Sequence, residues 1–115
     1  MDITIGGVTL TQKALFAKHM AVMLRAGLTV NDALKISFEQ SKGKLKKTLK
    51  RVQQSVESGN SLSDSFGQFP RVFSGLFINV TQAGEQSGNM DQTFENIAEQ
   101  LEKENELRQK VKGAM

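Results

Sequence analysis

The stretch "QAGEQSG", residues 82–88, sets two glycines four apart around a single acid, in the middle of an otherwise helical pattern. A helix interior tolerates glycine poorly, at a cost of about 1 kcal/mol relative to alanine. The segment is therefore a helix end, a point of close packing or a binding loop. Its flanks decide. On one side Val72, Phe73, Leu76, Phe77, Ile78 and Val80 predict a very apolar helix over 72–83. On the other, Met90, Phe94, Ile97 and Leu101 predict a helix that starts near 90 and continues to about 112. Gly84 and Gly88 then bracket the turn, with "GEQSGN" as the connection, because a tight reversal needs residues that accept positive φ.

Working outward, the same punctuation recurs. Gly27 is followed by Val30 and Leu34, Gly59 by Leu62 and Phe66, Gly88 by Met90 and Phe94. Asp32, Asp64 and Asp91 fall in the first turn each time, where an acid complements the helix dipole. A first helix is predicted over 11–25, with Thr11 as N-cap. Its Leu15, Phe16, Met20, Val22, Met23 and Leu24 leave little polar face, so it should be central and buried on most sides. A second starts at a Thr29 cap and ends near 41–43. A third, over 44–57, aligns Leu45, Leu49, Val52 and Val56 in one stripe. A short fourth begins at a Ser61 cap and ends near Gly67, before Phe69–Pro70. The only β-like stretch is "ITIGGVTL" (3–10), short, terminal and broken by glycine. The sum is an all-α, six-helix antiparallel bundle at 10–115, preceded by a tail at 1–9.

Composition narrows the chemistry. The 115 residues suffice for one domain, and 38% hydrophobic with 23% charged is ordinary for a globular protein. There is no cysteine, hence no disulfide or thiolate metal site, which fits a reducing compartment. No N-terminal signal pattern and no uncharged apolar run near ~18 residues appear, so the chain reads as soluble. The single histidine, His19, sits in the apolar first helix and is expected to be structural. No serine has the usual base partner, and no phosphate-binding glycine loop is present. An enzyme is not expected, nor a cofactor. Glu85, Asp91 and Glu95 are close in sequence and are the candidates for a hard cation, although they do not follow a calcium-loop pattern. Capping and solvated charge is the alternative.

Charge is uneven. Residues 1–57 hold ten Lys/Arg against four Asp/Glu, and the remainder five against eight. Lys42, Lys44, Lys46, Lys47, Lys50 and Arg51 form one acid-free run: a solvated helix face, an anionic-lipid contact or a nucleic-acid patch. No aromatic lies between Phe38 and Phe66 to stack bases, and lysine contacts phosphate rather than base edges. Specific nucleic-acid recognition is therefore not expected. A basic helical nucleic-acid-binding domain is the competing reading.

"FAKHMAVMLRAGLTVNDALKIS" (16–37), "SGNSLSDSF" (58–66), "FPRVFSGLFINVTQAGEQSGNMDQTFENIAEQLEKE" (69–104) and "LRQKVKGAM" (107–115) resemble one soluble domain. It is that of the F-type inner-membrane platform proteins of type II secretion and type IV pilus systems (GspF/PilC). The most specific element is Ala83-Gly84-Glu85 followed by Ser87-Gly88, supported by Arg25-Ala26-Gly27-Leu28 with Pro70 and Phe73. Proline often stands in the family where Thr29 is found here, and Asn89-Met90 also depart mildly. The resemblance implies a non-enzymatic module on the cytoplasmic face of the inner membrane. There it would couple a secretion or pilus ATPase to pilin or pseudopilin assembly, beside other platform components, as a weak homodimer. It also implies that residue 115 lies just before a first membrane span. Gly27, Gly59, Pro70, Gly84, Glu85 and Gly88 are then the structural motif, and the charge pattern makes the lysine run a candidate face towards anionic lipid. The sixth helix supports a projecting tail, since Leu107 and Val111 fall off its apolar stripe.

Overall fold

In a computed structural model, residues 4–5 and 7–113 are described. The elements are β1 (Thr4–Ile5), β2 (Val8–Thr9), α1 (Leu10–Arg25), α2 (Val30–Gln40), α3 (Gly43–Glu57), α4 (Leu62–Gly67), α5 (Gly75–Ser87) and α6 (Met90–Gly113). The expected all-α bundle of six helices is present. The β-like N-terminal stretch contributes only a two-residue antiparallel ladder, with Thr4 opposite Thr9 and Ile5 opposite Val8.

The starts of α1, α2 and α4 follow side-chain capping, whereas α3 and α5 begin without a side-chain cap. Thr29 Oγ1 accepts from the Asp32 N–H at 3.1 Å, and Ser61 Oγ from the Asp64 N–H at 3.0 Å, as the spacing predicts. The first helix differs. Thr9, not Thr11, is its N-cap, in a reciprocal capping box with Gln12 at 3.0 Å and 2.8 Å. Val8 just before it is fully buried. Part of the expected tail therefore belongs to the packed structure.

α1 and α6 are antiparallel partners. The beginning of α1 meets the far end of α6 through Asn105 Nδ2 donating to Thr11 Oγ1 at 2.9 Å, while Arg25 at its end reaches Asp91 and Glu95. The seam is made of small residues: Ala14, Ala17 and Ala21 are buried on α1, and Ala98 on α6. This overturns the expectation that α1 is buried on most sides. Leu15 is 51% and Val22 58% exposed, because both lie off the inward face, which carries Ala14, Ala17 and Ala21 together with Phe16 and Met20. His19 is exposed too, rather than sitting in the core.

The α2–α3 hairpin covers one side of α1, while α4 and α5 pack together and α5 against α6. Their meeting point is a phenylalanine cluster. Phe16, Phe66, Phe73, Phe77 and Phe94 are all buried, with ring centroids 4.4 Å apart for Phe66–Phe73 and 5.0 Å for the edge-to-face pair Phe66–Phe77. Each contributes about 1.5–3 kcal/mol by leaving water, with a further increment from ring geometry.

α5 departs from its predicted bounds at both ends. Val72 and Phe73 are buried in the turn before it, with the N–H of each donating to Phe69 O at 3.0 and 2.9 Å. Its C-terminal end lies at Ser87, so Gly84 is inside the helix and only Gly88 and Asn89 connect to α6. Gly88, at φ +79°, closes α5 by donating its N–H to Gly84 O at 2.9 Å. Gly27 (φ +98°) and Gly59 (φ +103°) stop α1 and α3 as expected. At the far end, residues 106–110 of α6 are exposed, Leu107 by 64%, consistent with a projecting tail.

Candidate functional site

Gly84 and Glu85 are the most constrained part of the motif segment, each for a different reason. A Cβ built on Gly84 would lie 2.1 Å from Thr93 Oγ1 and 2.8 Å from Thr93 Cβ, so α5 and α6 touch backbone to side chain there. Gly84 is thus a close-packing glycine, not a turn glycine, and its φ is not positive. One residue on, Glu85 leaves α5 towards α4. Its Oε2 accepts from the Leu62 N–H at 2.8 Å and its Oε1 from the Ser63 N–H at 3.1 Å. With Ser61 Oγ taking the Asp64 N–H, three orphan amides of a six-residue helix are satisfied. A carboxylate at that end also complements the helix dipole.

The three acids named as cation candidates are not brought together. Glu85 is engaged at α4, whereas Asp91 and Glu95 both face Arg25 from the first turns of α6. The Arg25 Nε–Asp91 Oδ2 distance is 3.7 Å, and Arg25 Nη2 hydrogen-bonds Glu95 Oε2. These partners, Glu95 before Asp91, raise the guanidinium pKa. Among the described residues, no group of three or more His, Asp or Glu side chains could hold a metal ion. Sequence proximity misled here because helices turn neighbours away from one another.

A second arrangement is the groove between α1 and α6, about 300 Å³, walled by Lys18, Val22 and Arg25 on one side and Glu95, Glu99 and Glu102 on the other. Cations face acids across a partly apolar floor. Val22 in the groove and Leu15 on the same helix are both exposed apolar side chains.

The third is the basic helix α3. Lys42, Lys44, Lys47, Lys50 and Arg51 are exposed, and Lys46 is half-buried with Nζ 4.9 Å from the Phe38 ring centroid. Arg51 lies 5.4 Å over the ring of Phe69. The Phe69–Pro70 turn therefore carries a cation from α3. Nothing in the sequence pairs Arg51 with Phe69, because the contact is tertiary.

His19 lines a shallow cleft with Gln12, Ser37, Gln40 and Ser41. Among the described residues no acid lines that cleft to orient it as a base.

Comparison with known proteins gives these surfaces a context. Residues 16–115 match the family described as "Type II secretion system (T2SS), protein F". The chain is 40% identical over 110 residues to "Type IV pilus assembly protein PilC" of Thermus thermophilus, covering 95% of this chain and 27% of that protein. It is 36% identical over 110 residues to "Type II secretion system protein F" of Aeromonas hydrophila, covering 95% and 28%. It is 35% identical over 103 residues to the PilC of Pseudomonas aeruginosa, covering 89% and 28%. The chain thus spans about a quarter of the length of these relatives. They are named for pilus assembly and secretion, not for a reaction.

Proposed function

Because the chain belongs to the type II secretion system protein F family, we propose that it is a cytoplasmic module of an inner-membrane assembly platform. It works through protein–protein contacts, coupling a secretion or pilus ATPase to the assembly of pilin or pseudopilin subunits. The match across residues 16–115 to proteins named for both pilus assembly and secretion carries this reading. Its surfaces support it. The ordered features specify helix junctions, and what faces outward is charged and apolar surface rather than a reaction centre.

Partners are then the ATPase, neighbouring platform components and a second copy of the module. The groove between α1 and α6 suits the last, since it offers Lys18 and Arg25 beside Glu99 and Glu102, a self-complementary set. No helix among the described residues is long and apolar enough to cross a membrane.

The test is deletion of this segment from the parent gene. Loss of surface pili or of exoprotein secretion, with loss of ATPase co-purification with the platform, is expected. Unimpaired assembly and unchanged co-purification would overturn the reading.

A further inference from the structure

One side of α3 and the turn between α4 and α5 enclose a cleft of about 410 Å³, apart from the α1–α6 groove. Its floor is apolar: Val72 is buried, Phe69 half-buried and Pro70 exposed. Its rim is cationic. Lys44 comes from α3 and Arg71 from the turn, both exposed, and Arg51 leans over Phe69 from one helical turn beyond Thr48. Among the described residues no carboxylate lines the cleft. Among the described residues, Lys44, Arg51 and Arg71 make no ion pair, while the chain's acids are concentrated on α6. Gln68, which also lines it, is turned away by donating to Ser55 Oγ at 3.1 Å.

Cations around an apolar floor, with no acid among the described residues paired to them, define a specific complement. We propose that this cleft docks an acidic segment of a partner protein, anchored by an apolar side chain between its carboxylates. The apolar residue seats on Phe69 and Pro70, and the flanking acids meet Lys44, Arg51 and Arg71. Arginine predominates at the Phe69 side, where its planar fork suits a carboxylate. The cleft is concave and two-walled, so it accepts a protruding side chain better than a flat bilayer surface. This inference rests on the reading of the chain as a module that acts through protein contacts.

The probes are two labelled peptides, Glu-Glu-Glu-Leu-Glu-Glu-Glu and the same sequence with Gly in place of Leu, bound to the 115-residue chain and followed by fluorescence anisotropy. The leucine peptide is expected to bind about tenfold more tightly than the glycine one. Arg71→Gln and Arg51→Gln should each weaken it about fivefold. Lys50→Gln, which removes an exposed α3 cation outside the cleft, should change it less than about twofold. Arg71 sits in an exposed turn, so its variant keeps the test valid even if Arg51→Gln perturbs folding. Equal binding of the two peptides, or equal loss on Lys50→Gln and Arg71→Gln, would overturn the proposal. So would displacement of the leucine peptide by phosphatidylglycerol vesicles or a short DNA duplex at equal charge concentration. Failure here with pilus assembly or secretion still dependent on the segment would remove the cleft and leave the platform reading intact.

Discussion

Glu85 on α5 holds the N-terminus of α4 from 23 residues away, its Oε2 accepting the Leu62 N–H at 2.8 Å. The second oxygen takes the Ser63 N–H. A six-residue helix has little hydrogen bonding of its own, so a remote carboxylate decides whether its first turn is ordered. Through Leu62 and Phe66, both buried, that turn also anchors the phenylalanine cluster. Glu85→Ala should therefore destabilise the fold by about 2 kcal/mol, because two charge-assisted bonds are lost and two amides are left half-buried. Glu85→Gln keeps one acceptor and should cost about half as much. Urea denaturation of both variants is the measurement. An Ala variant within a few tenths of a kcal/mol of the native chain would refute the role.

Gly84 and Gly88 should fail in different ways when a side chain is added. At Gly88 there is open space around a Cβ, so the cost of alanine is conformational, about 1–2 kcal/mol for a left-handed residue. At Gly84 the backbone is helical and the obstacle is Thr93, so alanine overpacks the α5–α6 contact by about 1–3 kcal/mol. A double-mutant cycle separates them. Thr93→Gly should rescue Gly84→Ala with a coupling of about 1 kcal/mol and leave the penalty at Gly88 unchanged. Additive losses at Gly84 and Thr93 would show that the close approach is not the constraint.

How far the fold could be read in advance follows from which forces are local. Caps and stops are local, and so Thr29, Ser61, Gly27, Gly59 and Gly88 were legible from spacing. The N-cap of α1 was misplaced by two residues because Thr9 and Thr11 both satisfy the composition rule, and only Gln12 selects the first. Sequence alone places Gly84 in the turn, because glycine in a helix and glycine after one look alike in sequence. The distinction lies in Thr93, a tertiary partner. Hydrophobicity alone places Leu15 and Val22 in the core, because it ranks leucine and valine above alanine, whereas the inner face of α1 carries Ala14, Ala17 and Ala21 with Phe16 and Met20. Glu85 stood out as an acid between glycines, but its target, a helix start 23 residues upstream, is invisible without the fold.

The exposure of Leu15 and Val22 leads to a prediction about association. They lie seven residues apart on α1, one flanking and one lining a groove whose opposite walls carry opposite charge. The chain should therefore dimerise weakly, with Leu15→Glu and Val22→Glu each reducing the dimer fraction in sedimentation equilibrium without lowering the melting temperature. Added salt should weaken the dimer only partly, because the apolar contribution persists. A chain that stays monomeric at millimolar concentration would count against it.

Lys13 supplies the last test. It occupies an inward position on α1, 3% exposed, within the electrostatic reach of Glu104 on α6. Burial lowers its pKa from the ordinary 10.5, and Glu104 opposes the shift less strongly. A lysine whose folded pKa is depressed binds fewer protons folded than unfolded in the window between the two values. Stability therefore rises with pH through that window, up to about 10.5. Below it both states are charged, and the folded state carries the full desolvation cost. Lys13→Met keeps the packed stem and removes the charge, so at pH 7 it should be more stable than the native chain by about 1 kcal/mol. The difference between the two should shrink as pH rises to 10.5. Glu104→Gln should act in the opposite sense, deepening the shift and steepening the native alkaline rise. Urea midpoints at neutral and alkaline pH give both slopes. A methionine variant less stable than the native chain at pH 7 would mean that attraction to Glu104 outweighs the burial of Lys13.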